Sequence, residues 1–271
     1  MPSLIVSGMT DAWDLAQYER YRTERLQPFV DLLKLIEPLP DLRAVDLGCG
    51  AGEGTALFHA QFQCQSTLGI DASPAMLAGA RAQPAVAGLR FAEAHIERPH
   101  EWCAGPGSLD VILSNAAVHW VPEHVPLLAT FAEQLSPRGQ LAIQMPVNGD
   151  HPSHQVMRAL CASEPWAAHF AHAPVESPVL PPEQYSRLLH RLGFSRHRVF
   201  VEVYVHLLDG VDGVVEWVKG SILTEPRKRL PAGLYASFED DYRRRLSARI
   251  VDERPFPYTL KRLFLWAARG P

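Results

Sequence analysis

Between residues 42 and 145, short apolar runs alternate with segments whose apolar residues recur near helical spacing. The runs at 42–47, 65–70, 88–92, 109–114 and 139–145 predict buried strands, and the segments 53–61, 74–82, 123–134 and 183–192 predict helices. Alternation of this kind implies an α/β fold with a doubly wound, Rossmann-like, mostly parallel sheet and right-handed crossovers. Period-two alternation returns in Arg198-Val199-Phe200-Val201-Glu202-Val203-Tyr204-Val205, which predicts a strand over 197–207. A last strand is expected from Thr259 to Ala268, making the sheet seven-stranded.

Other stretches have no place in that sheet. Residues Thr10 to Ile36 read as helical, with Trp13, Tyr18, Tyr21 and Arg25 near one-turn spacing, and Pro28 is expected to break or restart the helix. Helical character runs from Ser153 to Phe170, and again over 213–250, where Pro226 and Pro231 are expected to interrupt it. The segments 1–37, 148–180 and 210–250 are therefore expected to cap the binding edge of a core formed by 38–147, 181–209 and 251–271, the whole of 1–271 being one domain.

Composition narrows the function classes. The 271 residues are 47% hydrophobic, ample for one large core, and the net charge is −4. The densest basic cluster, Arg243-Arg244-Arg245, follows Asp240-Asp241 and reads as a solvated helix face, so nucleic acid is not the expected partner. Cysteines 49, 64, 103 and 161 show no metal-ligand spacing, and neither a metal nor a disulfide framework is expected. His151 and His154 lack a third ligand. The chain opens Met1-Pro2-Ser3 without a basic targeting segment and has no membrane-length apolar run, the expectation for a cytoplasmic protein acting on a small molecule, with no membrane partner. Its oligomeric state is not encoded in any pattern found.

Ligands of doubly wound sheets bind outside the carboxyl ends of the strands. That singles out Asp46 to Gly52, Asp71, Ala94 to Ile96, Asn115 to Trp120 and Gln144 to Asn148. Ala44-Val45-Asp46-Leu47-Gly48-Cys49-Gly50-Ala51-Gly52 reads as a buried strand running into a glycine turn and a helix N-terminus, a place where backbone can approach a ligand closely. A dinucleotide fingerprint needs a third glycine where Glu53 or Thr55 stands, so it fails. The spacing G-x-G-x-G after an acidic residue instead resembles the first motif of class I S-adenosylmethionine-dependent methyltransferases. Asp71 closes the second strand about 20 residues later, where a ribose-binding carboxylate belongs.

With Asp71-Ala72-Ser73-Pro74-Ala75-Met76, Ser114-Asn115-Ala116-Ala117-Val118-His119-Trp120-Val121-Pro122-Glu123-His124 and Gln144-Met145-Pro146 followed by Pro152-Ser153-His154, the chain resembles the trans-aconitate 2-methyltransferases over nearly its whole length. The run from Asn115 to His124 is the family-specific one. The resemblance implies S-adenosylmethionine as cofactor, leaving S-adenosylhomocysteine, and a small polycarboxylic acid as acceptor. It implies cofactor contacts from Trp13, Arg25, Asp46, Gly48, Gly50, Asp71, Ala72, Met76, His95, Ile96 and Asn115, and acceptor contacts from Tyr21, His119, Trp120, His151 and Arg262. His119 reads either as the catalytic residue facing the methyl group or as a packing histidine. Arg25 reads as a partner of either the cofactor or the acceptor. Two residues depart from the family pattern. Ala51 replaces the usual proline. His95 replaces the usual acidic acceptor of the adenine amino group, a role a neutral ring can fill through one nitrogen.

A carboxylate acceptor needs no general base, because its reference pKa is about 4. A hydroxyl, amine or carbon-acid acceptor would need one, with His119 the candidate, and a cofactor-binding regulator without turnover is the reading from another class.

Overall fold

The computed structural model describes residues 22–170 and 179–270, with side chains from Leu26 onward in the first helix. The order is α1 (Arg22–Leu33), β1 (Arg43–Leu47), α2 (Glu53–Gln61), β2 (Ser66–Asp71), α3 (Pro74–Arg81), β3 (Leu89–Glu93), β4 (Leu109–Asn115), α4 (His124–Gln134) and β5 (Leu135–Pro146). There follow α5 (Pro152–Cys161), α6 (Pro182–Arg191), β6 (Arg196–Leu208), α7 (Gly210–Lys219), α8 (Thr224–Arg229), α9 (Ala232–Ser247) and β7 (Phe256–Ala268). The sheet has seven strands in the order β3-β2-β1-β4-β5-β7-β6. The first five are mutually parallel, while β7 runs antiparallel to both β5 and β6. The chain reverses direction in strand order between β1 and β4, and the crevice above that point is where ligands of such sheets sit.

Both faces of the sheet are covered. On one face Val45, Leu47, Ile112, Ile143, Met145, Leu263 and Leu265 pack with Leu128 and Phe131 of α4 and Tyr185 and Leu189 of α6. On the other, Ala44, Val111, Leu113, Ala142, Phe264 and Trp266 pack with Phe29, Leu32 and Leu33 of α1 and Phe58 of α2. Strand alternation thus sends even-numbered residues of β1, β5 and β7, and odd-numbered residues of β4, toward α1.

A second apolar centre lies beyond the sheet. Strands β6 and β7 pair along their full length, from Arg196 opposite Ala268 to Leu208 opposite Phe256, whereas β5 follows β7 only as far as Arg262. The projecting part carries Tyr258 and Leu260 into a cluster with Met157 and Leu160 of α5, Val214 and Trp217 of α7, and Phe238 and Tyr242 of α9. The helices expected at 148–180 and 210–250 are therefore held by an extension of the sheet.

The first expected cap segment is divided. Phe29 to Ile36 belong to the sheet's own covering layer, because four apolar side chains there are buried against β4, β5 and β7. The expected break at Pro28 does not occur; α1 runs through it from Arg22 to Leu33. Pro226 likewise lies within α8, near the start, where its missing N–H has no helical partner to lose, and Pro231 directly precedes α9. Arg243, Arg244 and Arg245 pair with Asp212, Glu239 and Asp241, all but Asp212 being on the same helix. Among the described residues, no helix is long and apolar enough to cross a membrane.

Candidate active site

The glycine turn between β1 and α2 is fixed by its neighbours. Gly48 and Cys49 N–H both donate to Ile70 O at 2.8 Å, and Gly50 N–H donates to Asp71 Oδ2 at 2.9 Å. Asp71 Oδ1 accepts from Ser73 N–H at 2.8 Å, so both carboxylate oxygens clamp backbone. Ser73 in turn caps α3, with Pro74 at its first position. Gly48 and Gly50 have φ of 80° and 56°, conformations that side chains rarely adopt. A Cβ on Gly48 would strike Ala117, whereas one on Gly50 would meet nothing within 4 Å. The space over Gly50 is part of a cavity of about 120 Å³ lined by Leu26, Phe29, Asp46, the loop 48–54 and Asn115.

Asp46 is 3% exposed, and its Oδ2 accepts from Thr55 Oγ1 at 2.6 Å. Burial pushes its pKa up to about 7, the Thr55 bond opposing and the nearby Asp71 charge adding to the rise. Asn115 Oδ1 is buried without a hydrogen-bond partner. An unpaired buried acceptor and a buried carboxyl beside an open glycine loop fit a ligand with a cationic, hydrogen-bond-donating end, as the ammonium of S-adenosylmethionine is. Ile96 packs at the rim of the apolar core, Met76 is half-buried, and Ala72 is exposed beside Asp71.

His95 lies on the outer side, its side chain 39% exposed, with Nδ1 3.4 Å from Glu101 Oε2. That same oxygen accepts from His95 N–H at 2.9 Å. A carboxylate thus stands beside His95 after all, delivered from six residues downstream by the turn at 99–101. Nothing in the local sequence pattern pointed to Glu101.

On the other flank, His119 follows β4 in a short 3₁₀ turn and is 7% exposed, with Nδ1 unpartnered. Burial pushes its pKa down to about 3, and the charge of Arg262 adds to the shift. Half-buried His154 is pushed down to about 4, chiefly by burial, with His151, Arg158 and Arg262 contributing. Trp120, expected as an acceptor contact, is 56% exposed, its ring 4.7 Å from that of His119. His151 caps α5: its Nδ1 accepts from Ser153 N–H, and its ring stands edge-to-face with that of Tyr258. Trp13 and Tyr21, with the side chain of Arg25, lie outside the described residues.

Gln144 and His154, both named in the sequence motifs, were given no cofactor or acceptor role from sequence. Gln144, at the end of β5, is 1% exposed with Nε2 unpartnered. His154 is displaced mainly by its own burial, with the charge of Arg262, from a distant strand, among the smaller contributions. The signal for Gln144 was present as a lone polar residue ending the apolar run Leu141-Ala142-Ile143.

Comparison with known proteins agrees with this arrangement. A family model described as "Methyltransferase domain" matches residues 18–198. A trans-aconitate 2-methyltransferase of Deinococcus radiodurans is 38% identical over 261 residues, covering 95% of this chain and 98% of the relative. The chain belongs to the trans-aconitate 2-methyltransferase family. Another member, from Streptomyces avermitilis, is 36% identical over 270 residues, covering 97% of each chain. Among solved structures, the YcgJ protein from Bacillus subtilis superposes with a TM-score of 0.60 at 15% identity, covering 90% of this chain and 99% of that one. That likeness concerns the fold.

Proposed function

We propose that this chain transfers the methyl group of S-adenosylmethionine to a carboxylate of a small polycarboxylic acid such as trans-aconitate, giving a monomethyl ester and S-adenosylhomocysteine. The relatives just described, similar from end to end, supply the substrate class. The observation that carries the reading on this chain's own residues is the neutrality of the acceptor flank: His119 and His154 are held at about 3 and about 4 beside the Arg262 charge. Rings of so low a basicity are poor acceptors for the proton of a hydroxyl or an ammonium near neutral pH. A carboxylate is already ionised there and requires no base.

S-Adenosylmethionine brings an activated methyl group on a sulfonium. Asp46 and Asn115 would hold its amino-acid end, the turn 48–52 would lie along it, and Asp71, fixed by Gly50 and Ser73, would meet the ribose. Arg262 favours the anionic acceptor, and neutral His119 can hydrogen-bond it without repelling the sulfonium. Catalysis is then mainly alignment of two bound partners, an effect worth roughly 7–11 kcal/mol when geometry is well fixed. The test is transfer of radiolabelled methyl to a panel of small acids, phenols and amines. Labelled ester from trans-aconitate, with a rate that stays level from pH 8 down to about 5 at saturating S-adenosylmethionine, is expected. Labelling only of an uncharged phenol or amine would sink the reading and leave the fold and cofactor in place.

A further inference from the structure

Four polar side chains stand in a row on the α1 face across four adjacent strands, at the carboxyl edge of β1, β4 and β5 and beside it on antiparallel β7. Asp46 is the penultimate residue of β1, Asn115 ends β4, Gln144 lies near the end of β5, and Arg262 lies on β7. Their common face follows from their neighbours two residues away: Ala44, Leu113, Ala142 and Phe264 all belong to the apolar layer beneath α1. Register keeps the row compact. Asp46 lies opposite Leu113, one step of the same face from Asn115; Asn115 lies directly opposite Gln144; Arg262 is opposite Pro146, one step outward from Gln144. Residues opposite one another on a shared face stand about 5 Å apart at Cβ.

The row changes sign in its middle. Asp46 and Asn115 present oxygens, and the Asn115 Oδ1 is buried without a partner. Gln144 presents a buried Nε2 without a partner, and Arg262 presents a cation. Two adjacent unpaired groups of opposite polarity, each costly to leave so, call for a ligand set that donates on one side and accepts on the other. His119 Nδ1, just beyond the end of β4, is also buried and unpartnered. The exposed Glu202 opposes Arg262 on its outer flank, on β6, so the inward side of the row is where an anion gains most.

We infer that the boundary between Asn115 and Gln144 divides the cleft: the oxygen half takes the cationic end of the cofactor, and Gln144 with Arg262 binds a carboxylate of the acceptor that is not being methylated. Gln144 is thereby a specificity-determining residue, favouring acceptors with at least two carboxylates. The inference rests on the polycarboxylate reading above for the acceptor's identity, but anion binding tests it without turnover.

The probe is tricarballylate, titrated by calorimetry into protein saturated with S-adenosylhomocysteine, which carries no transferable methyl. Wild type is expected to bind it. Gln144→Glu should weaken binding by about tenfold or more, and Gln144→Met, which keeps the volume and removes the donor, should weaken it in the same direction, as loss of one hydrogen bond to a charged group does. Affinity for S-adenosylhomocysteine should stay within about twofold, with far-UV circular dichroism unchanged. In turnover, the KM for trans-aconitate should rise and that for S-adenosylmethionine should not. Should Gln144→Glu fail to fold, Gln144→Met carries the test alone. Unchanged tricarballylate affinity in a folded variant, parallel loss of S-adenosylhomocysteine binding, or no tricarballylate binding by wild type would each overturn the inference. If wild type binds tricarballylate through Gln144 yet esterifies no acid, the anion site stands and the proposed reaction falls.

Discussion

The buried carboxyl of Asp46 makes a measurable statement about the protein before any ligand arrives. Its pKa is near 7 when folded, against an ordinary value of 3.8. The folded chain therefore holds a proton that the unfolded chain has released between about pH 4 and pH 7. Stability is fullest below that window and declines as pH rises through it. The difference of about 3 pH units corresponds to at most about 4 kcal/mol at pH 8. Asp46→Asn removes this ionisation while leaving an oxygen for the Thr55 hydroxyl. The new amide N–H₂ needs an acceptor, which offsets the gain by about 1–3 kcal/mol if none is found. A net stabilisation of about 1–3 kcal/mol at pH 8 is expected for the ligand-free variant, vanishing or reversing at pH 4. At about 2–4 °C per kcal/mol for a chain of this size, the melting temperature at pH 8 should rise by roughly 2–12 °C. Differential scanning calorimetry at pH 4, 6 and 8 measures it. Binding should move the other way, because the ionised carboxylate pairs with the cofactor's ammonium: the variant should bind S-adenosylhomocysteine about tenfold or more weakly at pH 8. Parallel melting curves for the two proteins across this range would refute the reasoning, since they would mean that Asp46 is as well solvated folded as unfolded.

Other outcomes follow from the same geometry. Gly50→Val should fold yet lose S-adenosylhomocysteine binding, because its side chain would enter the open cavity over the loop and strain a φ of 56°; calorimetry with intact binding would make the glycine loop structural only. Asp71→Ala should cost about 1–3 kcal/mol of cofactor binding and also loosen the turn that Gly50 and Ser73 anchor to it, detectable as faster proteolysis within residues 48–54. Asp110, wholly buried, would be raised by that burial, but hydrogen bonds from Arg43, Ser136 and Arg138 hold it down to about 2. It should therefore contribute about 2 kcal/mol above pH 4, lost as pH falls toward 2. Urea midpoints for Asp110→Asn that retain this acid-induced drop would assign it to other carboxylates.

Much of this protein is written locally in its sequence. Strand periods, the glycine turn after Asp46 and the carboxylate at Asp71 depend on neighbours a few residues away, so seven strands and the turn that Asp71 clamps could be placed from pattern alone. Where packing outweighs propensity, pattern misled: α1 continues through Pro28 because Phe29, Leu32 and Leu33 are buried against the sheet, and residues expected in a cap became part of a core layer. The capping of α5 by His151 Nδ1 was not legible in the local pattern. The acceptor side depended on strand order. Positions 46, 115, 144 and 262 are far apart in the chain, and the insertion of β7 between β5 and β6 sets an arginine next to an unpaired glutamine. Glu101 reached His95 through a turn. Periodicity reports which face of an element is apolar, but the charge that faces a ligand is the sum over elements brought together by the sheet, and that sum exists only in the folded chain.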